Sequence, residues 1–153
     1  MNTIARLLRL ENILLDVDVS NKRQLFDEIG RHMAQAHAMR PEWVTLILSR
    51  REQAGSTGLG EGFAIPHARV PDLDRIYLLY VRVKSPIPFA APDGKPVSDI
   101  LVLLVPGPAS EEHLRILADA TQMFSDHEFR ESLRSCQDAP EVKRQFDVWS
   151  PPP

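Results

Sequence analysis

The chain has 153 residues, of which 43% are hydrophobic and 25% charged, and a formal net charge of −3; this is the profile of one ordinary globular domain long enough to bury a core. The slight acidic excess argues against a nucleic-acid partner, since a binder of backbone phosphates carries a basic face. A single cysteine, Cys136, excludes an intrachain disulfide and a thiolate metal cage, and fits a reducing, cytoplasmic location.

At the N-terminus, Arg6 and Arg9 interrupt the apolar residues and no small-residue cleavage site follows, so the segment does not read as a signal peptide. The longest apolar runs, Ile76 to Val81 and Ile100 to Pro106, are far too short to span a bilayer, and direct membrane insertion is not expected. Leu10 to Val17 alternates well enough to predict an edge strand. Ser20 is a plausible N-cap for a helix running to about Met39, with Leu25, Ile29 and Met33 on one face. His32 and His37 fall off that stripe and read as helix-surface residues. Pro41 suits the first turn of a second helix ending near Gln53, with Val44, Leu46, Ile47 and Leu48 as its buried side. Arg50 and Arg51 then occupy its last turn, where the helix dipole favours cations.

The stretch that follows carries the chemistry. Gly55, Gly58, Gly60 and Gly62 lie within eight residues, and a short apolar run then leads to Pro66 and His67. Glycines at this density let backbone N–H groups point at an anion. Pro66 stiffens the chain and forces Ile65 into an extended conformation, so His67 is presented at the end of a strand-like segment. Gly55 and Gly60 have the spacing of a nucleotide-binding P-loop, but Glu61 and Gly62 stand where that motif needs lysine and a hydroxyl. A dinucleotide fingerprint fails as well, because Phe63 occupies the place of its third glycine. A tight surface loop with an ordinary polar histidine is the plainer alternative.

Beyond a turn at Val70 to Asp74, Ile76 to Val83 reads as a central strand covered on both faces. Ser85 to Pro96, with four prolines, is predicted to be irregular, with a turn at Asp93-Gly94. Asp99 to Val105 is a second buried strand. Ser110 caps a third helix to about Phe124, whose inward face holds His113, Leu117, Ala120, Thr121 and Phe124. His113 thus sits in a first helical turn just past the C-terminal end of a strand, where ligands collect in α/β folds, and the dipole there favours its neutral form. Asp126 caps a short helix to about Ser135 with Phe129 and Leu133 inward and His127 outward. Pro140 opens a last helix with Val142 and Phe146 buried. Residues 1–148 are expected to form one α/β domain, a mixed sheet with helices on both faces, and Trp149 with the final prolines a disordered tail.

Arg51-Glu52-x-x-Gly55-Ser56-Thr57-Gly58-x-Gly60-x-Gly62-x-Ala64-Ile65-Pro66-His67 resembles the phosphorylation-site signature of the enzyme IIA domains of the bacterial phosphotransferase system, in the fructose/mannitol/nitrogen-regulatory class. Pro88-Phe89-x-Ala91-Pro92-Asp93-Gly94-Lys95-Pro96-Val97, Leu101 to Pro106 and Glu112-His113-Leu114-x-x-Leu117 continue the likeness in order over nearly the whole chain. The resemblance implies the same α/β arrangement and a phosphoryl group carried on His67, received through Nε2 from a phosphohistidine on an HPr-like carrier. It places His113 alongside as a second active-site histidine, and Arg51 at the mouth of the glycine loop to hold phosphoryl oxygens. Ser56, Thr57 and the backbone at Gly58 are expected to donate to phosphate; Glu61 either orients a histidine N–H or is a solvated carboxylate. No cofactor or metal is implied, and a metal-dependent hydrolase lacks any compact ligand spacing. The glycine-loop and Ala64-Ile65-Pro66-His67 residues resemble the nitrogen-type regulators most closely, whose phosphorylation state decides which proteins they bind. Transfer to a IIB protein for sugar uptake is the alternative, and a second copy of the chain is a candidate partner.

Overall fold

The computed structural model describes residues 2–108 and 110–151. Helix α1 (Thr3–Leu7) leads through a 3-10 turn at Leu10–Asn12 into strand β1 (Ile13–Val17). Helices α2 (Lys22–His37) and α3 (Pro41–Gln53) follow. Three short strands come next, β2 (Gly58–Gly60), β3 (Phe63–Ala64) and β4 (His67–Arg69), then the long pair β5 (Tyr77–Ile87) and β6 (Val97–Val105). Helices α4 (Glu111–Ser125), α5 (His127–Ser135) and α6 (Ala139–Val148) complete the order.

The sheet runs β1-β5-β6-β3-β2, and β4 also pairs with β6. β5 and β6 are antiparallel, from Tyr77 opposite Leu104 to Arg82 opposite Asp99. β1 lies parallel to β5, while β3 and β4 lie parallel to β6 as one strand interrupted at Ile65-Pro66. This is the expected mixed sheet with helices on both faces. The period of two divides β6 cleanly. Leu101, Leu103 and Val105 face one core with Ile4, Ile116, Ala120, Met123, Phe129 and Phe146. Ile100, Val102 and Leu104 face the other, with Leu25, Phe26, Ile29, Met33, Val44 and Leu48. Burial at this depth contributes roughly 1.5–3 kcal/mol for each large aliphatic side chain, and it makes β5 and β6 central strands that read as continuous apolar runs.

Most helix starts follow from capping chemistry. Asn21, rather than Ser20, caps α2 by accepting from the Gln24 N–H at 2.9 Å, and the Gln24 side chain accepts in return from the Ser20 N–H at 2.8 Å. Ser110, Asp126 and Asp138 cap α4, α5 and α6 with their side chains, each satisfying an N–H that the helix leaves open.

Several expectations change. Thr45 is buried on α3 while Leu46 is 45% exposed, because α3 packs on α2 through the stripe Val44-Thr45-Leu48. Pairing of Ile87 with Val97, across a shift in register after Arg82, carries β5 into the proline-rich stretch; Pro86 is tolerated at that irregularity. Thr121 is exposed, and the inward face of α4 is carried by Ile116, Ala120, Met123 and Phe124. Trp149 is no loose tail residue. Its indole N–H donates to Asp126 at 3.0 Å, its ring meets Phe129, and its carbonyl accepts from Asn2 at 3.1 Å. Pro152 and Pro153 lie outside the described residues.

His32 and His37 are not simple surface residues either. Their Nε2 atoms lie 2.8 and 3.0 Å from the Oδ1 of Asn12, which is 1% exposed, and the His37 ring sits 4.7 Å from that of Tyr77. The two imidazoles close over the end of the 3-10 turn and satisfy a buried amide. Burial and the neighbouring His37 hold His32 below its ordinary pKa, with Glu11 acting in the opposite direction.

Candidate functional site

His67 opens β4, directly after Pro66, and pairs with Leu103. The carbonyl of Pro66 accepts from the Leu103 N–H at 2.9 Å, so the proline's missing donor costs this edge nothing. Neighbours in a parallel pair point to the same face, and Leu103 belongs to the core that α4 covers. His67 therefore points to the α4 side of the sheet, near the C-terminal end of β6. It is half-buried.

The ring has a defined orientation. Nδ1 lies 2.9 Å from the carbonyl oxygen of Ile65, and a carbonyl can only accept, so in the neutral ring the proton resides on Nδ1. Nε2 then carries the lone pair. A neutral imidazole with one nitrogen tied back and the other bare is a nucleophile as well as a base.

His113 stands at the third residue of α4, and its backbone N–H is capped by Ser110 at 3.3 Å. The helix begins six residues beyond the end of β6 and lies on the face to which His67 points, so the fold brings the two histidine segments to one end of one layer. The Nδ1 of His113 is buried, and among the described residues it has no hydrogen-bond partner. A buried polar atom without a partner is uncommon enough to need a reason.

Arg51 sits in the last turn of α3, and its Nη1 donates to the Gly55 carbonyl at 2.9 Å. Antiparallel pairing of the Thr57 carbonyl with the Ile65 N–H, at 3.0 Å, sets the loop before Thr57 beside the chain after Ile65. The C-terminal end of α3 is thereby carried toward β4. Among the described residues the remaining guanidinium N–H groups make no hydrogen bond, which leaves donors for an anion.

The glycine stretch is built differently from the predicted phosphate cradle. Thr57 is 7% exposed and gives both its donors to Glu52: the hydroxyl at 2.7 Å to Oε1, the N–H at 2.9 Å to Oε2. The Ser56 hydroxyl donates to the Phe89 carbonyl at 2.7 Å and accepts from the Gly58 N–H at 3.1 Å. The Ser56 and Thr57 hydroxyls and the N–H groups of Thr57 and Gly58 are thus spent inside the protein, where they fix the loop. Gly58 is required for packing, since a Cβ there would come within 2.9 Å of the Ala91 Cβ.

Glu61 is also removed from the histidine. It turns the β2–β3 hairpin at φ 56°, and its N–H donates to Asp93 at 2.8 Å. Its carboxylate pairs with Lys95 at 3.7 Å, and its carbonyl accepts from Arg134. Phe63 pairs with Asp99 and His67 with Leu103, so four residues of strand, about 13 Å, separate the hairpin from the ring. Glu61 holds the hairpin to the Asp93-Gly94 turn. Glu52, which sequence reasoning passed over, is the acid that matters locally; its signal was an acidic residue next to Arg51 in a helix turn that must be buried to meet the loop.

An edge histidine with a fixed tautomer, set in a mixed sheet between two helical layers, defines a histidine-bearing α/β sandwich. The family described as "Phosphoenolpyruvate-dependent sugar phosphotransferase system, EIIA 2" matches residues 6–147, and the chain belongs to that family. A nitrogen regulatory protein of Bradyrhizobium diazoefficiens is 33% identical over 150 residues, covering 98% of this chain and 96% of its own. A nitrogen regulatory protein homolog of Haemophilus influenzae is 34% identical over 149 residues, covering 95% and 91%. The crystal structure of nitrogen regulatory protein IIA-Ntr from Neisseria meningitidis superposes with a TM-score of 0.88 at 40% identity, covering 95% of this chain and 99% of that one.

Proposed function

We propose that the chain is a nitrogen-type regulatory phosphocarrier whose His67 takes a phosphoryl group on Nε2. The supporting observation is the bond from Nδ1 to the Ile65 carbonyl, which leaves Nε2 as the free nucleophilic nitrogen. The donor is a phosphohistidine on an HPr-like carrier protein. As the new Nε2–P bond forms, the donor's N–P bond breaks in line and its electron pair returns to the donor ring; the proton on His67 Nδ1 stays in place. Arg51 meets the equatorial oxygens, and the orphaned His113 ring supplies a hydrogen bond that is made only once a phosphoryl group is present. The loaded and empty forms differ in charge at one edge of the sheet, and regulated partner proteins in the cytoplasm read that difference.

The nitrogen-type assignment is preferred to sugar uptake through a IIB protein because the nitrogen regulatory relatives are over 30% identical along nearly the full length. Incubation with phosphoenolpyruvate, enzyme I and an HPr-type carrier tests the proposal. The expected product is heavier by about 80 Da, acid-labile, and lost in His67→Ala. A stable unphosphorylated wild type under those conditions, or label that persists in His67→Ala, overturns it.

A further inference from the structure

We propose that Glu52 is a positioning residue for His67, fixing through Thr57 and Ile65 which ring nitrogen is left free. The inference rests on His67 being the phosphoryl acceptor and adds a residue on another element that never touches the reacting atoms.

Glu52 lies in the last turn of α3 with only 5% of its side chain exposed. A carboxylate at that depth is costly unless its oxygens are bonded, and here three donors meet them. Lys22 Nζ donates to Oε2 at 2.9 Å, the Thr57 N–H to the same oxygen at 2.9 Å, and the Thr57 hydroxyl to Oε1 at 2.7 Å. Thr57 is held at two points and cannot pivot. Its carbonyl accepts from the Ile65 N–H at 3.0 Å, and the carbonyl of Ile65 accepts from His67 Nδ1 at 2.9 Å. Lys22 is fixed in turn, lying 4.6 Å from the centre of the Phe89 ring, while the Phe89 carbonyl takes the Ser56 hydroxyl.

These links do not form a proton wire, because they alternate between side chains and separate peptide groups. What passes along them is position. If Thr57 is released, Ile65 loses its hold and its carbonyl drifts from Nδ1. An imidazole without that acceptor can keep its proton on Nε2, which removes the lone pair the phosphoryl group needs. Glu52 is thus tied to the chemistry by a path that a stabilising salt bridge alone would not require.

The test uses the full chain, 15N-labelled, as wild type, Glu52→Gln, Thr57→Val and Thr57→Ser. Long-range 1H–15N correlations of the His67 ring report its tautomer, and rapid-mixing phosphorylation by the HPr-type carrier reports rate. Glu52→Gln keeps the shape but replaces one acceptor oxygen with a donor group and removes the charge facing Lys22. The expected result is a mixture of His67 tautomers in a folded protein, with kcat down about 10-fold and KM for the carrier within about two-fold. Thr57→Val shows a smaller change in the same direction, and Thr57→Ser, which keeps both donors, behaves as wild type. A folded Glu52→Gln whose His67 stays wholly Nδ1-protonated overturns the proposal, as does a loss confined to KM. If Glu52→Gln does not fold, the contrast of Thr57→Val with Thr57→Ser decides in the same way. Should wild-type His67 take no phosphoryl group, the functional reading fails while the tautomer measurement still judges the role of Glu52.

Discussion

The Nδ1 of His67 and the carbonyl oxygen of Ile65 are 2.9 Å apart, across a proline that stiffens the backbone between them. With the Nδ1 proton held by that carbonyl, Nε2 is the nitrogen left to take the phosphoryl group under the proposed function. The phosphorylated protein should carry the Nε2 isomer alone. Phosphorus and nitrogen NMR of the loaded protein distinguish the isomers, and a resonance set for Nδ1-phosphohistidine would contradict the geometry.

Gly58 gives a prediction about stability. Its place against Ala91 leaves no space for a methyl group, which would sit 2.9 Å from the Ala91 Cβ and 3.0 Å from its Cα. Neither is the far end of a flexible side chain, so the β2 strand must shift. Gly58→Ala should destabilise the fold by about 1–3 kcal/mol, read as a lower midpoint in urea, and adding Ala91→Gly should recover only part of it, because the contact with the Cα at position 91 remains. Gly55 differs, with nothing within 4 Å of the added Cβ, so crowding is not the cost of substitution there.

The paired histidines on α2 make stability depend on acid. His32 titrates below its ordinary value because burial and His37 disfavour its charge, against the opposite pull of Glu11. A histidine whose folded pKa lies below its unfolded value binds fewer protons when folded. Its neutral form therefore supports the fold above the unfolded value of about 6.5, and this support is lost as pH falls through the folded pKa. Urea midpoints measured from about pH 7.5 down to about pH 5 should fall more steeply in the wild type than in His32→Gln, which has no proton to gain. Equal slopes would remove His32 from the account.

The sequence made the sheet and most helix starts legible through local chemistry. Asp126 and Ser110 are capping residues whose reach is one helical turn, and β5 and β6 announce themselves by unbroken apolar runs. Asn12 with His32 and His37 was not legible, because three residues on two elements share one oxygen that no periodicity reveals. The same holds inside the candidate site. Pro66 before His67 is a local device and could be read directly, whereas the inward turn of the Ser56 and Thr57 hydroxyls depends on Phe89 and on the burial of Glu52. A glycine-rich loop looks alike whether its donors face a ligand or the core, and only the tertiary partners decide it. Trp149 was misread for a related reason, since its partners Asn2, Asp126 and Phe129 lie far away along the chain.

His113 separates stability from function most sharply. Its Nδ1 is buried, and among the described residues it has no partner, an arrangement that costs about 1–3 kcal/mol when a polar atom gives up water without replacement. Leucine at this position removes the orphan and extends the inward stripe that continues through Ile116 and Ala120. His113→Leu should therefore unfold at an equal or higher urea concentration than the wild type. Under the proposed function the same change deletes the hydrogen bond assigned to the phosphoryl group, and the rate of loading from the carrier should then fall by about 10²-fold. A variant that is less stable and equally fast would assign the ring to packing alone. One that is at least as stable and slow would show that the fold tolerates an unsatisfied nitrogen because the phosphorylated state satisfies it.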